Sequence, residues 1–535
     1  MLAIAMLAIA SSCGSTDSEP YRTINGSGNN LKYPQMNQAG VQLIRLASPA
    51  YADGISSFAG AGRPNPRNIS NIVNNQDELI PNPDSATNFV WLWGQFMDHD
   101  MTFSDESRAE PANIEIPAGD EIFDPESTGV VQMFFNRAIN DPATGTSIDN
   151  PRQQLNKITG WIDASTVYGS DAERANALRT NDGSGKLKTS SGNFLPYNES
   201  GLPNFRFRGP DFFLAGDERA NKNIGLTSLH TPFVREHNRL AEEIGMNNPS
   251  LSGEEIYQRA RRIVDAHIQA ITYNEFLPVL LGHNALPSYS HYDDSTLSGV
   301  ANVLSSAAFR VGHTLLDPKI PLVDAEGNEI EALPLKDVFF KPGKITEAGI
   351  EPILRGFAAD LHQRVDVLII DDVRNFLFVD DQATGTSQLR GFDLASLNIH
   401  RGRDHGLPSY NDMREALGLE RKESFSDITG DPEVQRRLRE AYGTNEDGTD
   451  KTNDMDIWVT GLAEDRHGKS MLGELFHTIV SRQFRVLRDG DRFWYERTLS
   501  QEELKEVQGT TLADIIRRNT DIENEEISDN VFLIE

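Results

Sequence analysis

Apolar residues recur every three or four positions over long stretches of the chain and strict alternation is scarce, which predicts a mainly α body. Ser228–Gly245 (SLHTPFVREHNRLAEEIG) carries such a stripe and ends on a capping glycine. Ser252–Leu281 opens with the capping box Ser252 and Glu255. The same spacing predicts helices near 299–311, 346–360, 364–377, 409–418, 432–442, 468–486, 500–508 and 511–518. Residues 14–85 are rich in Gly, Asn, Pro and Ser and read as an extended N-terminal arm lying over a helical body of 86–520. Residues 104–130, 181–201 and 443–454 have the composition of surface loops, and 521–535 that of a solvated acidic tail.

The 535-residue chain is 38% apolar, enough for a large core, and shows no internal repeat. Fifty Lys and Arg against 80 Asp and Glu give a net charge of −30, which disfavours nucleic acid and anionic membranes as partners. Cys13 is the sole cysteine, so neither an intramolecular disulfide nor a thiolate metal site can form. It follows the apolar run Met1–Ala10 and the pair Ser11-Ser12, a pattern similar to a bacterial lipoprotein export signal, though without a basic leading region. Residues 1–13 are therefore expected to direct export, to the extracellular space or the cell envelope, with a lipid anchor at Cys13 left open. No later stretch approaches the ~20 apolar residues of a membrane span.

Four segments concentrate chemistry. Trp91–Asp100 (WLWGQFMDHD) puts Gln95, Asp98 and His99 on one face of an apolar helix, with Asp100 turned about 200° from Asp98. One face can serve a reaction centre and the other a cation, although a His at a helix end is also an ordinary capping residue. Thr159–Ser165 (TGWIDAS) supplies hydroxyls, a carboxylate and backbone carbonyls, the oxygen set a hard cation such as Ca²⁺ takes, or else a plain turn. In Ala307–Thr314 (AAFRVGHT), His313 follows a glycine at a helix end with Arg310 one turn earlier. A neutral imidazole there can ligate iron if an acceptor holds its other nitrogen, and Asn398 offers one. Asn398 lies in Ser396–Pro408 (SLNIHRGRDHGLP), where Arg401 and Arg403 can pair with a cofactor's carboxylates or form a surface turn laced with salt bridges.

With Leu214–Arg219 (LAGDER) and Val234–Ala241 (VREHNRLA), these segments resemble the animal-type haem peroxidases of the peroxidase-cyclooxygenase superfamily. The resemblance is collinear from Tyr21–Gly26 (YRTING) to Arg488–Trp494 (RDGDRFW) and is nearest the myeloperoxidase and lactoperoxidase branch, with the export pattern suggesting a bacterial member. It implies a single large helical body holding haem b, His313 as the proximal iron ligand and Asn398 as its partner. It likewise implies His99 as the distal base, Arg219 as the distal arginine and Asp98 as the carboxylate esterified to a haem methyl. Asp100, Thr159, Trp161 through its carbonyl, Asp163 and Ser165 match the family's calcium site. His99 would take the proton of H₂O₂ and return it to the leaving oxygen while Arg219 stabilises the developing charge, leaving a ferryl haem. Gln95 could hold the water or small anion that is then oxidised. Bromide, iodide, thiocyanate and phenols are the reductants to expect. Lys222 and Asn223 stand where the mammalian branch has its second ester carboxylate and its sulfonium methionine, so at most one ester and weak chloride oxidation are expected. The superfamily's fatty-acid dioxygenases need a tyrosine three residues before the proximal His, and that position is Arg310. A non-catalytic calcium-binding adhesion module is the alternative from another class.

Overall fold

Residues 21–378 and 391–534 are described in the computed structural model. Helix α1 (Pro66–Val73) lies within the arm expected to be extended, with Asn65 accepting from Arg67 and Asn68 at its start. Its Arg67 is buried between Asp120 and Asp393, at 2.7 and 2.8 Å, so ion pairing holds that part of the arm in place. Helix α2 (Phe89–Met101) is apolar almost all round, as a helix buried on every side must be. Trp93 stacks near Phe96 at 5.4 Å, and Phe96 lies 5.3 Å from Phe233 of α3 (Ile224–Asn247). Helix α4 (Gly253–Ile271) keeps the expected capping box at Ser252 and Glu255, then passes through a π turn, Thr272–Phe276, into α5 (Leu277–Leu281).

The helix expected over 299–311 breaks at Ala307, whose φ and ψ of −142° and −69° leave the helical region. What forms instead is α6 (Asn302–Ser306) followed by the 3-10 turn Ala308–Thr314, which carries His313. The expected 346–360 helix divides at Gly349, with φ of 80°. Within 364–377 only Asp371–Arg374 is helical. There Val367, Ile369 and Ile370 are buried and Ile369 bridges Asn75, because a short apolar run enclosed on both sides is stable when extended. Helices α7 (Leu394–Asp404) and α8 (Ile457–Ala463) were not foreseen, and the one expected over 468–486 runs as α9 (Glu474–Asp489).

Strands among the described residues form three antiparallel pairs: β1 (Glu106–Pro111) with β4 (Asn136–Ala138), β2 (Ile114–Glu115) with β3 (Gln132–Met133), and β5 (Lys319–Val323) with β6 (Glu329–Pro334). The mainly α architecture with little β-structure is as expected. The acidic end is more than a solvated tail. Val531 and Phe532 are fully buried, and the Phe532 ring meets Trp93 and Phe276 at 6.2 and 6.0 Å. The export pattern of residues 1–13 and Cys13 lies outside the described residues, among which no helix is long and apolar enough to cross a membrane.

Candidate active site

On α2 the 3.6-residue period brings Gln95 and His99 to one side, and α2 packs against the turn that carries His313. Gln95, Asp98, Arg310 and His313 keep accessible surface. Asp98 retains 30% of its side-chain exposure. Asp98, Arg310 and His313 nevertheless lie deep among protein atoms, so the surface they expose borders an interior space rather than bulk solvent.

His99 is buried, and its Nδ1 has no hydrogen-bond partner, the nearest carboxylate oxygen being Asp217 Oδ1 at 3.5 Å. Burial first, then the charges of Arg219 and Lys222, hold this imidazole well below its ordinary pKa, so it is neutral. Arg219 is fixed by a two-pronged pair with Asp217, Nε to Oδ1 and Nη2 to Oδ2 both 2.8 Å, while its Nη1 lies 3.5 Å from Asp98 Oδ2. Burial alone would raise the Asp217 pKa, but the Arg219 guanidinium outweighs it and keeps the carboxylate below its usual range. The turn that presents this pair depends on Gly216. A Cβ there would stand 2.3 Å from the Ser165 carbonyl oxygen, so only glycine lets the two loops meet. Asn223 Nδ2 donates to Gln95 Oε1 at 2.9 Å.

On the other side, Asn398 of α7 sets its amide 2.8 Å from His313 Nδ1, and Arg310 Nη1 donates to Asn398 Oδ1 at 2.8 Å. As placed, the amide nitrogen faces the ring. A half-turn of the amide exchanges its two ends and lets Nδ1–H donate to oxygen, the tautomer that frees Nε2 as a ligand, while Arg310 keeps the Ser305 carbonyl through Nε at 3.0 Å. Burial, reinforced by Arg310 and Lys222, pushes the His313 pKa down to about 3, so this imidazole is neutral too. Lys222 is held down to about 8 by burial and by Arg219.

Behind α2, Asp100 and the 159–165 loop converge. Asp100 accepts from the backbone N–H of Thr166 at 2.9 Å and of Asp163 at 3.1 Å, and Ser165 Oγ lies 3.2 Å from its Oδ1. Thr159 Oγ1 donates to Asp163 Oδ1 at 2.9 Å, while Asp163 Oδ2 is buried without a partner. Burial and mutual repulsion raise the Asp100 pKa strongly, and burial raises that of Asp163 against the pull of Arg22 and Arg261. Two enclosed carboxylates with an orphaned oxygen, ringed by hydroxyls, fit a hard cation. Trp161 is fully buried and donates through Nε1 to the Gly26 carbonyl at 3.2 Å.

Two arginines are placed differently from expectation. Arg403 is locked to Asp456 by bonds of 2.7 and 2.9 Å, so its charge is already paired with a protein carboxylate. Arg401 is spent on Glu106 at 2.7 Å and Asp404 at 3.1 Å, though its charge still reaches Arg310. Both belong to a buried helix rather than a surface turn. Asp217 and Asn223 were missed as site residues. The Gly216-Asp217-Glu218-Arg219 turn did hold a signal, an acid two residues before the arginine and able to reach it locally.

The animal haem peroxidase family model matches residues 21–532. The chain belongs to that family. It is 35% identical over 526 residues to peroxinectin A of Dictyostelium discoideum, covering 94% of each chain. To human myeloperoxidase it is 34% identical, over 95% of this chain and 73% of that one. The solved structure of peroxidase A from Dictyostelium discoideum superposes with a TM-score of 0.88 at 34% identity, over 97% of this chain and all of that one. This peroxidase is accordingly a haem-dependent oxidoreductase acting on peroxide. Its described residues fit the cofactor: His313 and His99, on elements packed against each other, are both held neutral, and Asp98 beside Arg219 is half-buried.

Proposed function

We propose that haem b lies between α2 and the 308–314 turn of this peroxidase, ligated by His313, and that small anions (bromide, iodide, thiocyanate) and phenols are its reductants. The pair of enclosed, neutral imidazoles carries this reading, because one can be a ligand and the other a base only if both are unprotonated. Haem, when bound, supplies the iron that receives the peroxide and stores its two oxidising equivalents. His99 takes the proton from the peroxide oxygen nearest it and returns it to the leaving oxygen. Arg219, held rigid by Asp217, stabilises the negative charge that builds as the O–O bond lengthens. Asn398 orients the His313 ring. Gln95, anchored by Asn223, holds the water or anion next to His99. Arg310 offers no phenol three residues before His313, which argues against fatty-acid dioxygenation. The test is an absorption spectrum before and after peroxide, with turnover of iodide and of a phenol. A purified protein without a haem band, or one inert to peroxide, would overturn the reading.

Asp98 is the carboxylate proposed to esterify the haem; Lys222, an ammonium, and Asn223, engaged with Gln95, cannot form the second link. Acid-acetone extraction should leave pigment on the wild type and remove it from Asp98→Asn. With one link and no sulfonium, the haem is less electron-poor than in a triply linked site. Chloride turnover is then expected to be at least about tenfold below bromide, ~1.4 kcal/mol in barrier. Equal rates for the two halides would contradict this.

Asp100, Thr159, the Trp161 carbonyl, Asp163 and Ser165 are proposed to bind Ca²⁺, bracing α2 two residues from Asp98 and next to His99. Chelation should lower Tm by an amount matching ~2–3 kcal/mol at a hundredfold excess of ion over Kd, and Ca²⁺ should restore it. Asp163→Asn should abolish that response while making the chelated protein more stable than chelated wild type, because it removes one of two like charges. Export is proposed from the pattern of residues 1–13, with Cys13 as the candidate lipid attachment. Fractionation of wild type and Cys13→Ser tests it.

A further inference from the structure

On the outer side of α9 lies a cavity of about 490 Å³, a volume within the usual range for small-molecule sites. Thr478, Ser481, Arg482 and Arg485 recur at helical spacing along α9, so one face of that helix turns hydroxyls and guanidinium groups into the cavity. The opposite wall is apolar and includes Leu46, Leu286 and Leu417. In a chain with 80 acidic residues, no carboxylate among the described residues lines this space.

The floor is formed by Arg45, and its bonding is unusual. Its guanidinium donates to Gln153 Oε1 at 2.7 Å, to the carbonyl oxygens of His405 and Arg152 at 2.9 and 3.0 Å, to Gln154 Oε1 at 3.1 Å and to the Tyr51 hydroxyl at 3.2 Å. Every acceptor is neutral. The arginine is rigidly held, yet its charge is left without a counter-ion, and burial draws its pKa below the ordinary arginine value. Among the described residues Arg482 and Arg485 likewise form no ion pair or hydrogen bond, whereas Arg414, Arg403 and Arg488 on neighbouring elements are all paired with carboxylates. Three cations around one cavity, none neutralised, repel one another unless an anion sits between them.

We infer that this cavity binds a small amphipathic anion, with a phosphate or carboxylate head set among Arg45, Arg482 and Arg485 and an apolar body against the leucine wall. The two exposed arginines can fork onto the head group, and Ser481 and Thr478 can donate to its remaining oxygens. The site is separate from the proposed haem space. It lies at the back of the proximal turn, where Phe484 of α9 packs on Phe309 at 5.7 Å.

Isothermal titration of the haem-loaded protein, at fixed ionic strength and without peroxide, tests this with three probes. Phenyl phosphate is expected to bind one to one, inorganic phosphate at least severalfold more weakly, and benzyl alcohol not at all. Arg482→Ser combined with Arg485→Ser should weaken phenyl phosphate tenfold or more, as should Ser481→Asp, which places a carboxylate in the wall. Peroxide-dependent oxidation of a phenol should be unchanged in both variants. Absence of saturable phenyl phosphate binding at millimolar concentration would overturn the inference, as would undiminished binding in both variants. So would equal affinity for inorganic phosphate, which removes the apolar body, or a shift of the haem absorption band on binding, which moves the anion to the haem.

Discussion

Replacing His313 with alanine is expected to yield a protein that purifies with little or no haem pigment and with peroxide turnover reduced to the level of free haem. The imidazole sits on a short 3-10 turn whose geometry is fixed from three sides. Trp458 of α8 donates to the Arg310 carbonyl at 3.4 Å, Arg310 binds the Ser305 carbonyl, and Asn398 spans Arg310 and His313. Among the described residues, no second imidazole shares these hydrogen bonds. His400 of α7 and His405 just after it are engaged with the Ala112 carbonyl and with Asn302. Because alanine removes a ring from a preformed space, added imidazole should restore part of the pigment and part of the activity, which separates loss of the ligand from loss of the fold. Asn398→Ala should behave differently, retaining the pigment while losing ~1–3 kcal/mol of stability, because it leaves the enclosed His313 Nδ1 without its partner. If the His313→Ala protein keeps its haem band and full turnover, His313 is not the ligand and the proposed site fails.

What could be read in the chain and what could not divide along physical lines. Ser252 and Glu255 announce α4 because a capping box is local chemistry, complete within four residues. Gln95, Asp98 and His99 could be grouped for the same reason, since the period of one helix fixes which residues share a side. Helix α7 was illegible. Its Arg401, Arg403 and Asp404 look like solvated charge, and what buries them, Glu106, Asp456 and Arg137, lies 295, 53 and 267 residues away. The acidic end misled in the same manner. Its carboxylates are visible in the sequence, but the pocket among Phe89, Trp93 and Phe276 that receives Phe532 exists only after folding. Asp217 is the intermediate case. Its reach to Arg219 is local, but the reason for the turn is Gly216 pressed on the Ser165 backbone, a contact between the Arg219 loop and the candidate cation loop. That contact also ties the two loops mechanically, so a disturbed 159–165 loop is expected to be felt at Arg219.

His99→Ala should leave the pigment bound while lowering kcat/KM for peroxide by ~10²–10⁴, the range for removing a positioned general base and equivalent to ~3–5 kcal/mol of barrier. The effect is large because His99 is both enclosed and unprotonated: burial, with Arg219 and Lys222 nearby, holds its pKa well below 6.5. The sign of the pH dependence follows. Only the neutral ring can accept the peroxide proton, and a depressed pKa keeps it neutral into acid, so in wild type the acid-side fall in turnover lies below the pH at which a free imidazole titrates. In His99→Ala that limb should vanish, leaving a low rate that rises with pH as peroxide itself loses its proton. Arg219→Lys provides the contrast. It keeps a positive charge but cannot reproduce the two-pronged pair with Asp217, so it should slow O–O cleavage without moving the acid limb as alanine at His99 does. Should His99→Ala retain wild-type reactivity while Arg219→Lys loses it, the proton must be handled elsewhere, and the guanidinium alone would account for the rate.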